Sequence, residues 1–191
     1  MTTTQPIRNK KEVRKLMDYF LKLGNLRNYV LIVLSLHTAL RISDILRLSW
    51  NDVYDFERRK VLDCISISEK KTGKTKTIAL NKKVTSALKL FAKEHAQPER
   101  FLIENVKTKK AISRVQAYRI IREAAESLKL SCRVSCHSLR KTFGYHAWKS
   151  GASIVIIMEI YNHSSLSVTK RYLGVTQDDK NSVYLGMDFA A

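Results

Sequence analysis

Residues 28–40, from Asn28 to Leu40, form a run of 13 positions without a formal charge, and this run constrains the fold more than any other feature. A bilayer crossing needs about 20 apolar residues, so this segment belongs inside a protein core rather than in a membrane. It is apolar on nearly every side, which predicts a central helix over 27–38, covered all round by other elements. The chain has 191 residues, 45% of them hydrophobic, enough for one ordinary domain with a packed interior. Only 6 glycines and 2 prolines argue against a loop-rich or fibrous architecture.

Around that helix the spacing of apolar residues implies a mostly helical α+β domain. Asn9 is a plausible cap for a helix to about Leu23, with Val13, Leu16, Met17 and Phe20 on one face and Gly24 past its end. A short helix is expected over 42–48. The period then changes to that of strands over 53–56, 61–67 and 76–80, the last two flanking a polar turn at Gly73. Helical spacing resumes after Asn81 and runs to His95. A short strand over 101–103 and a helix over 113–128 follow. Four shorter helices are expected over 138–150, 154–161, 165–173 and 177–186. No internal repeat or linker divides the chain, and Gln97-Pro98 reads as a loop. The expected organisation is a flexible start over 1–9, one domain over 10–175 and a tail over 176–191.

Charge selects the partner. The chain carries 35 Lys and Arg against 17 Asp and Glu, a formal charge of +18, which points to a nucleic acid. Residues 107–122 hold Lys107, Lys109, Lys110, Arg114, Arg119 and Arg122 without an acidic residue. Arg114, Tyr118 and Arg122 recur every four positions and would form one basic helix face. The start of the chain has no apolar signal core, so a cytoplasmic, DNA-associated protein without membrane contact is expected. Cys64, Cys132 and Cys136 are too few and odd in number for a disulfide framework. Cys132, Cys136 and His137 lack a convincing fourth zinc ligand, so no metal or other cofactor is expected.

Three polar constellations stand out. Arg41 follows the apolar helix directly, and Asp44, three residues on, shares its helical face. An arginine there is costly to bury unless paired or aimed at an anion; from this segment alone a structural Arg–Asp pair and an anion-directed arginine are equally good readings. His137 and Arg140 are again i and i+3, a combination that can hold a phosphate. Tyr172 lies nine residues after His163. A tyrosine needs adjacent positive charge or a base to attack anything near neutral pH.

In order, these pieces resemble the catalytic domain of the tyrosine recombinases, the phage integrase family. Residues 38–46 (TALRISDIL) are similar to the first family motif and supply Arg41, with Asp44 at its acidic position. Residues 70–74 (KKTGK) resemble the β-hairpin lysine motif; Lys71 aligns best, Lys74 remains an alternative, and Lys70 reads as a DNA-backbone contact. Residues 137–143 (HSLRKTF) supply His137 and Arg140, and residues 161–176 (YNHSSLSVTKRYLGVT) supply His163 and Tyr172.

The resemblance implies that Tyr172 attacks a DNA phosphodiester to give a 3′-phosphotyrosyl link. Arg41, Arg140 and His163 would hold the phosphate, His137 would assist removal of the tyrosine proton, and Lys71 would protonate the leaving 5′-oxygen. Expected DNA contacts are Lys70, Lys74, Lys109, Lys110, Arg114, Arg119, Arg122 and Lys141. The family also implies a homo-tetramer on DNA, with the free protein a monomer. A DNA-relaxing enzyme of the type IB topoisomerase kind and a basic DNA-binding regulator are the competing readings. The first helix corresponds to the start of the catalytic domain, so the family's preceding clamp is expected to be absent and an accessory DNA-binding protein to compensate. Ala39 stands at a position where the family often has glycine, and Tyr161-Asn162 replaces a common Leu-Gly. Neither change is expected to touch a reacting group.

Overall fold

The computed structural model describes residues 4–68 and 73–187. Helix α1 (Lys10–Lys22) starts at Asn9, whose side chain accepts the Lys11 amide. Helix α2 (Leu26–His37) is the predicted central helix: Tyr29 to Leu36 are buried without a break, against α1, α4 and α6. Helix α3 (Ile42–Ile45) is a single turn, and a 3₁₀ turn (Trp50–Asp52) follows it. Strands β1 (Tyr54–Asp55) and β2 (Lys60–Val61) pair antiparallel, as do β3 (Cys64–Ser68) and β4 (Thr75–Ala79). The fold is therefore α+β, mostly helical with small antiparallel sheets.

The remaining helices are α4 (Lys82–His95), α5 (Arg114–Ser127), α6 (Cys136–Lys149), α7 (Ile154–Tyr161), α8 (Leu166–Leu173) and α9 (Gln177–Leu185). Asn81, Ser113, Ser135 and Ser165 cap α4, α5, α6 and α8, each accepting an amide from the first turn. The cap moves the start of α6 two residues ahead of the expected one. No helix among the described residues is long and apolar enough to cross a membrane.

Two expectations change. Residues 101–103 do not form a strand with a ladder; the Leu102 amide donates to Leu48 (2.8 Å) and the Ile112 amide to Ile103 (3.0 Å), so the segment is stitched between two loops. The start of the chain, expected to be flexible, is anchored over its described residues 4–9. Ile7 is fully buried, its amide donates to Thr142 Oγ1 (2.8 Å), and its carbonyl accepts from His146 Nε2 (3.0 Å). Arg8 donates to the Gly174 carbonyl (2.7 Å). One buried isoleucine among polar neighbours has no period to reveal it, and its partners lie more than 130 residues away.

Candidate active site

Helix α6 places His137 and Arg140 on one face, one turn apart near its capped start. Helix α2 ends at Thr38, whose hydroxyl donates to the Leu34 carbonyl (2.7 Å), and the next residue, Ala39, is left-handed with φ of 55°. That left-handed residue redirects the chain, and Arg41 stands at the N-cap position of α3 without a side-chain capping bond, its side chain lining the cleft. Asp44 is fully buried in the next turn, its amide donating to the Arg41 carbonyl (2.9 Å).

Helix α7 stops at Asn162, which is left-handed (φ 52°), the conformation that asparagine tolerates best after glycine. The stop turns His163 out of the helix. Its Nδ1 faces the hydroxyl of fully buried Thr169 (3.1 Å), which itself reaches the Ser165 carbonyl (3.2 Å). With the hydroxyl proton on Ser165, Nδ1 of His163 is the donor to Thr169, which fixes the ring. Helix α8 then spans the interval to Tyr172 and brings the two rings edge to face, 4.9 Å apart. Gly174 ends α8 with φ of 69°, and a Cβ there would lie 3.2 Å from Gln5 Oε1, because the anchored start of the chain passes over it.

Arg41, His137, Arg140, His163 and Tyr172 line one open cleft of about 600 Å³, together with Ser43, Arg114 and Asn162. Five of the six predicted catalytic residues thus converge from α2–α3, α6, α7–α8 and α8. The sixth, Lys71, lies outside the described residues, as does Lys70. Arg140 is only 4% exposed; its Nη2 donates to the Tyr161 carbonyl (3.1 Å).

Electrostatics divide the roles. Burial lowers the pKa of His137 below the ordinary 6.5, and Arg140, Lys141, Arg114 and Arg41 lower it further. The imidazole is neutral near pH 7 and can accept a proton. Burial raises the Tyr172 pKa, and the charges of Arg140 and Arg41 and a hydrogen bond with Arg140 only partly offset it. Sequence reasoning anticipates cations that ease ionisation; here desolvation outweighs them, so the phenol is protonated near neutral pH. Cys136, beside His137 on the cleft wall, is pushed up to about 11 by burial and is a poor nucleophile.

The expected DNA contacts divide as well. Arg114 lines the cleft, and Lys74, Lys109, Lys110 and Arg119 are exposed. Arg122 is ion-paired with Glu126 (2.6 Å), which neutralises one end of the basic face. Lys141 is a correction. It is 7% exposed, its ammonium donates to the Thr4 carbonyl (2.7 Å), and it sits 5.2 Å from the centre of the Tyr172 ring. It points inward because position 141 is on the side of α6 opposite solvent, where the start of the chain covers it.

Sequence reasoning missed three contributors. Thr169 carries only the weak signal of a hydroxyl six residues after His163. Lys76 pairs across from Ile67 in the hairpin and donates to the Ile160 carbonyl (3.2 Å), tying β4 to the end of α7. Tyr161, expected to touch no reacting group, contacts Arg140, His163 and Tyr172.

The chain matches other proteins over nearly its whole length. It is 38% identical to a probable integrase/recombinase, YoeC, of Bacillus subtilis, over 96% of this chain and 97% of that protein. It is 29% identical to the tyrosine recombinase XerA of Pyrococcus furiosus over 87% of this chain, spanning 56% of that longer protein. Among solved structures, XerA recombinase superposes with a TM-score of 0.78 at 19% identity, over 96% of this chain and 65% of the other. XerH recombinase bound to its difH substrate gives 0.75 at 19% identity, over 96% and 53%. Residues 8–178 match the model described as the phage integrase family. With that match and the motif residues gathered around one cleft, the chain belongs to the phage integrase family, the tyrosine recombinases.

Proposed function

We propose that this chain is a site-specific DNA recombinase that cleaves and rejoins duplex DNA through a covalent link to Tyr172. The observation that carries the reading is the convergence of Arg41, His137, Arg140, His163 and Tyr172 on one open cleft, although they come from remote parts of the sequence.

In the forward step the Tyr172 Oη–P bond forms as the P–O5′ bond breaks, leaving a 3′-phosphotyrosyl link and a 5′-hydroxyl. Negative charge grows on the non-bridging oxygens, and Arg41 and Arg140 meet it with fixed guanidinium donors. Neutral His137 takes the phenolic proton. His163, its ring held by Nδ1 on Thr169, presents Nε2 to the phosphate. The β3–β4 hairpin carries the lysine that protonates the leaving oxygen, Lys71 or Lys74. The bond energy is kept in the phosphotyrosyl link, and the 5′-hydroxyl of a partner strand reverses the step.

The surplus of cations supports duplex DNA as partner. On α9 and just beyond it, Val183, Tyr184, Leu185 and Met187 are exposed. That apolar edge supports a tail exchanged between protomers in a tetramer on DNA. A nicked suicide substrate tests the reading. Wild type forms a denaturation-resistant protein–DNA adduct and Tyr172→Phe forms none; equal adduct from the Phe variant overturns the assignment.

A further inference from the structure

Resting on the recombinase reading, we propose that Tyr161 is a positioning residue, an aromatic bracket that sets the Arg140 guanidinium and the Tyr172 ring in register for attack. Three separate contacts join Tyr161 to Arg140. Its ring centre lies 4.8 Å from the guanidinium carbon, its carbonyl accepts from Nη2 (3.1 Å), and its hydroxyl donates to the Arg140 carbonyl (2.6 Å). Held at both head group and backbone, the arginine has little freedom to swing out of the cleft.

The same ring reaches the other reacting groups. It meets the Tyr172 ring at 5.0 Å with the planes at 64°, and lies 5.1 Å from the His163 imidazole. It is fully buried and belongs to a small cluster with Ala39, Ile157 and Leu173, against which Tyr172 itself packs. One side chain therefore touches the phosphate clamp, the nucleophile and the second imidazole at once. A leucine at 161 would supply volume, but neither a π face nor a hydroxyl.

An independent feature shows room made for it. Gly144 occupies the interior of α6, where glycine is unfavourable relative to alanine. A Cβ there would stand 2.3 Å from Tyr161 Oη and 2.8 Å from Cε2, both part of a rigid ring. Its third neighbour, Leu173 Cδ2 at 2.7 Å, is the end of a flexible side chain. Gly144 is the cradle of the Tyr161 ring.

The test is single-turnover cleavage of the suicide substrate, with DNA affinity and thermal melting measured on the same samples. Tyr161→Leu is expected to cleave about a hundredfold more slowly at unchanged affinity, as misplacement of a reacting group predicts. Tyr161→Phe keeps the ring under Arg140 and is expected to stay within about tenfold of wild type, the scale of one hydrogen bond. Gly144→Ala is expected to slow cleavage about tenfold or more by crowding the ring. In the Tyr161→Leu background the same change is expected to add less than about threefold, since neighbouring substitutions share one effect. Wild-type cleavage by Tyr161→Leu, or full additivity with Gly144→Ala, overturns the bracket while Tyr172-dependent adduct keeps the recombinase reading intact. Loss of melting and cleavage in parallel for both Leu and Phe variants makes the role merely structural and also overturns it. Absence of any Tyr172-dependent adduct in wild type removes both readings together.

Discussion

The interior of this protein is built in two ways. Around α2 the core is aliphatic and extensive: Val30 to Leu34 are fully buried and pack against α1, α4 and α6. Behind the cleft, the cluster of Ala39, Ile157, Tyr161 and Leu173 is small and joined to the site by rings and hydrogen bonds. One of its members, Ala39, and the residue after Tyr161, Asn162, are non-glycine residues in the left-handed region. The first region makes the fold; the second spends backbone strain and desolvation to aim side chains. Substitutions in the two should therefore fail differently.

The largest effect is expected in the aliphatic core. Leu34→Ala removes a fully buried side chain and should destabilise the protein by about 2–5 kcal/mol in a denaturant titration, while the folded fraction keeps its cleavage rate. A slower rate in the folded fraction would blur the division. Next, Arg140→Ala should lower single-turnover cleavage by about 10²–10³-fold, the loss seen when one fixed transition-state donor is removed. DNA affinity should hardly change, since one charge of a surplus of +18 is lost. Affinity falling in step with rate would mean that Arg140 binds the ground state equally well.

A smaller effect concerns pH. His137 is held below its ordinary 6.5, so it stays neutral through neutral pH and protonates only in a more acidic range. Cleavage limited by this base should be flat from pH 8 to 6.5 and then fall by about tenfold per pH unit below the lowered pKa. A His137→Gln variant should lose that limb. A wild-type limb centred above 6.5 would assign the base elsewhere.

How much of this was legible beforehand follows from the same division. The central helix, the caps at Asn9 and Asn81, and the β3–β4 hairpin announce themselves through local period and capping chemistry. Arg41, His137, Arg140, His163 and Tyr172 are found because their order and spacing form motifs. Tyr161, Lys141 and the start of the chain are not found. Each acts through contacts between remote segments, and no local pattern distinguishes an inward lysine at 141 from an outward one. The direction of the Tyr172 shift was hidden for a related reason: a list of cations shows their charges, whereas desolvation depends on what covers the phenol.

The smallest expected effect lies in α9. Burial works against ionisation of Asp179, but Lys149 (2.7 Å) and the Thr176 amide and hydroxyl reverse this and bring its pKa down to about 2. The stability this adds is present above the ordinary carboxylate value of 3.8 and is lost as pH falls through about 2. Circular dichroism should show α9 fraying in that window, and Asp179→Asn should remove the transition. A helix content unchanged from pH 5 to 2 would show that α9 is held without this pair.

The anchored start of the chain has a mechanical consequence. Arg8 grips the carbonyl of Gly174, two residues beyond Tyr172, while Thr4 holds the ammonium that sits over the phenol. Residues 4–8 thus hold the last turn of α8 and the ammonium beside the Tyr172 ring together, so loosening this segment would release both at once.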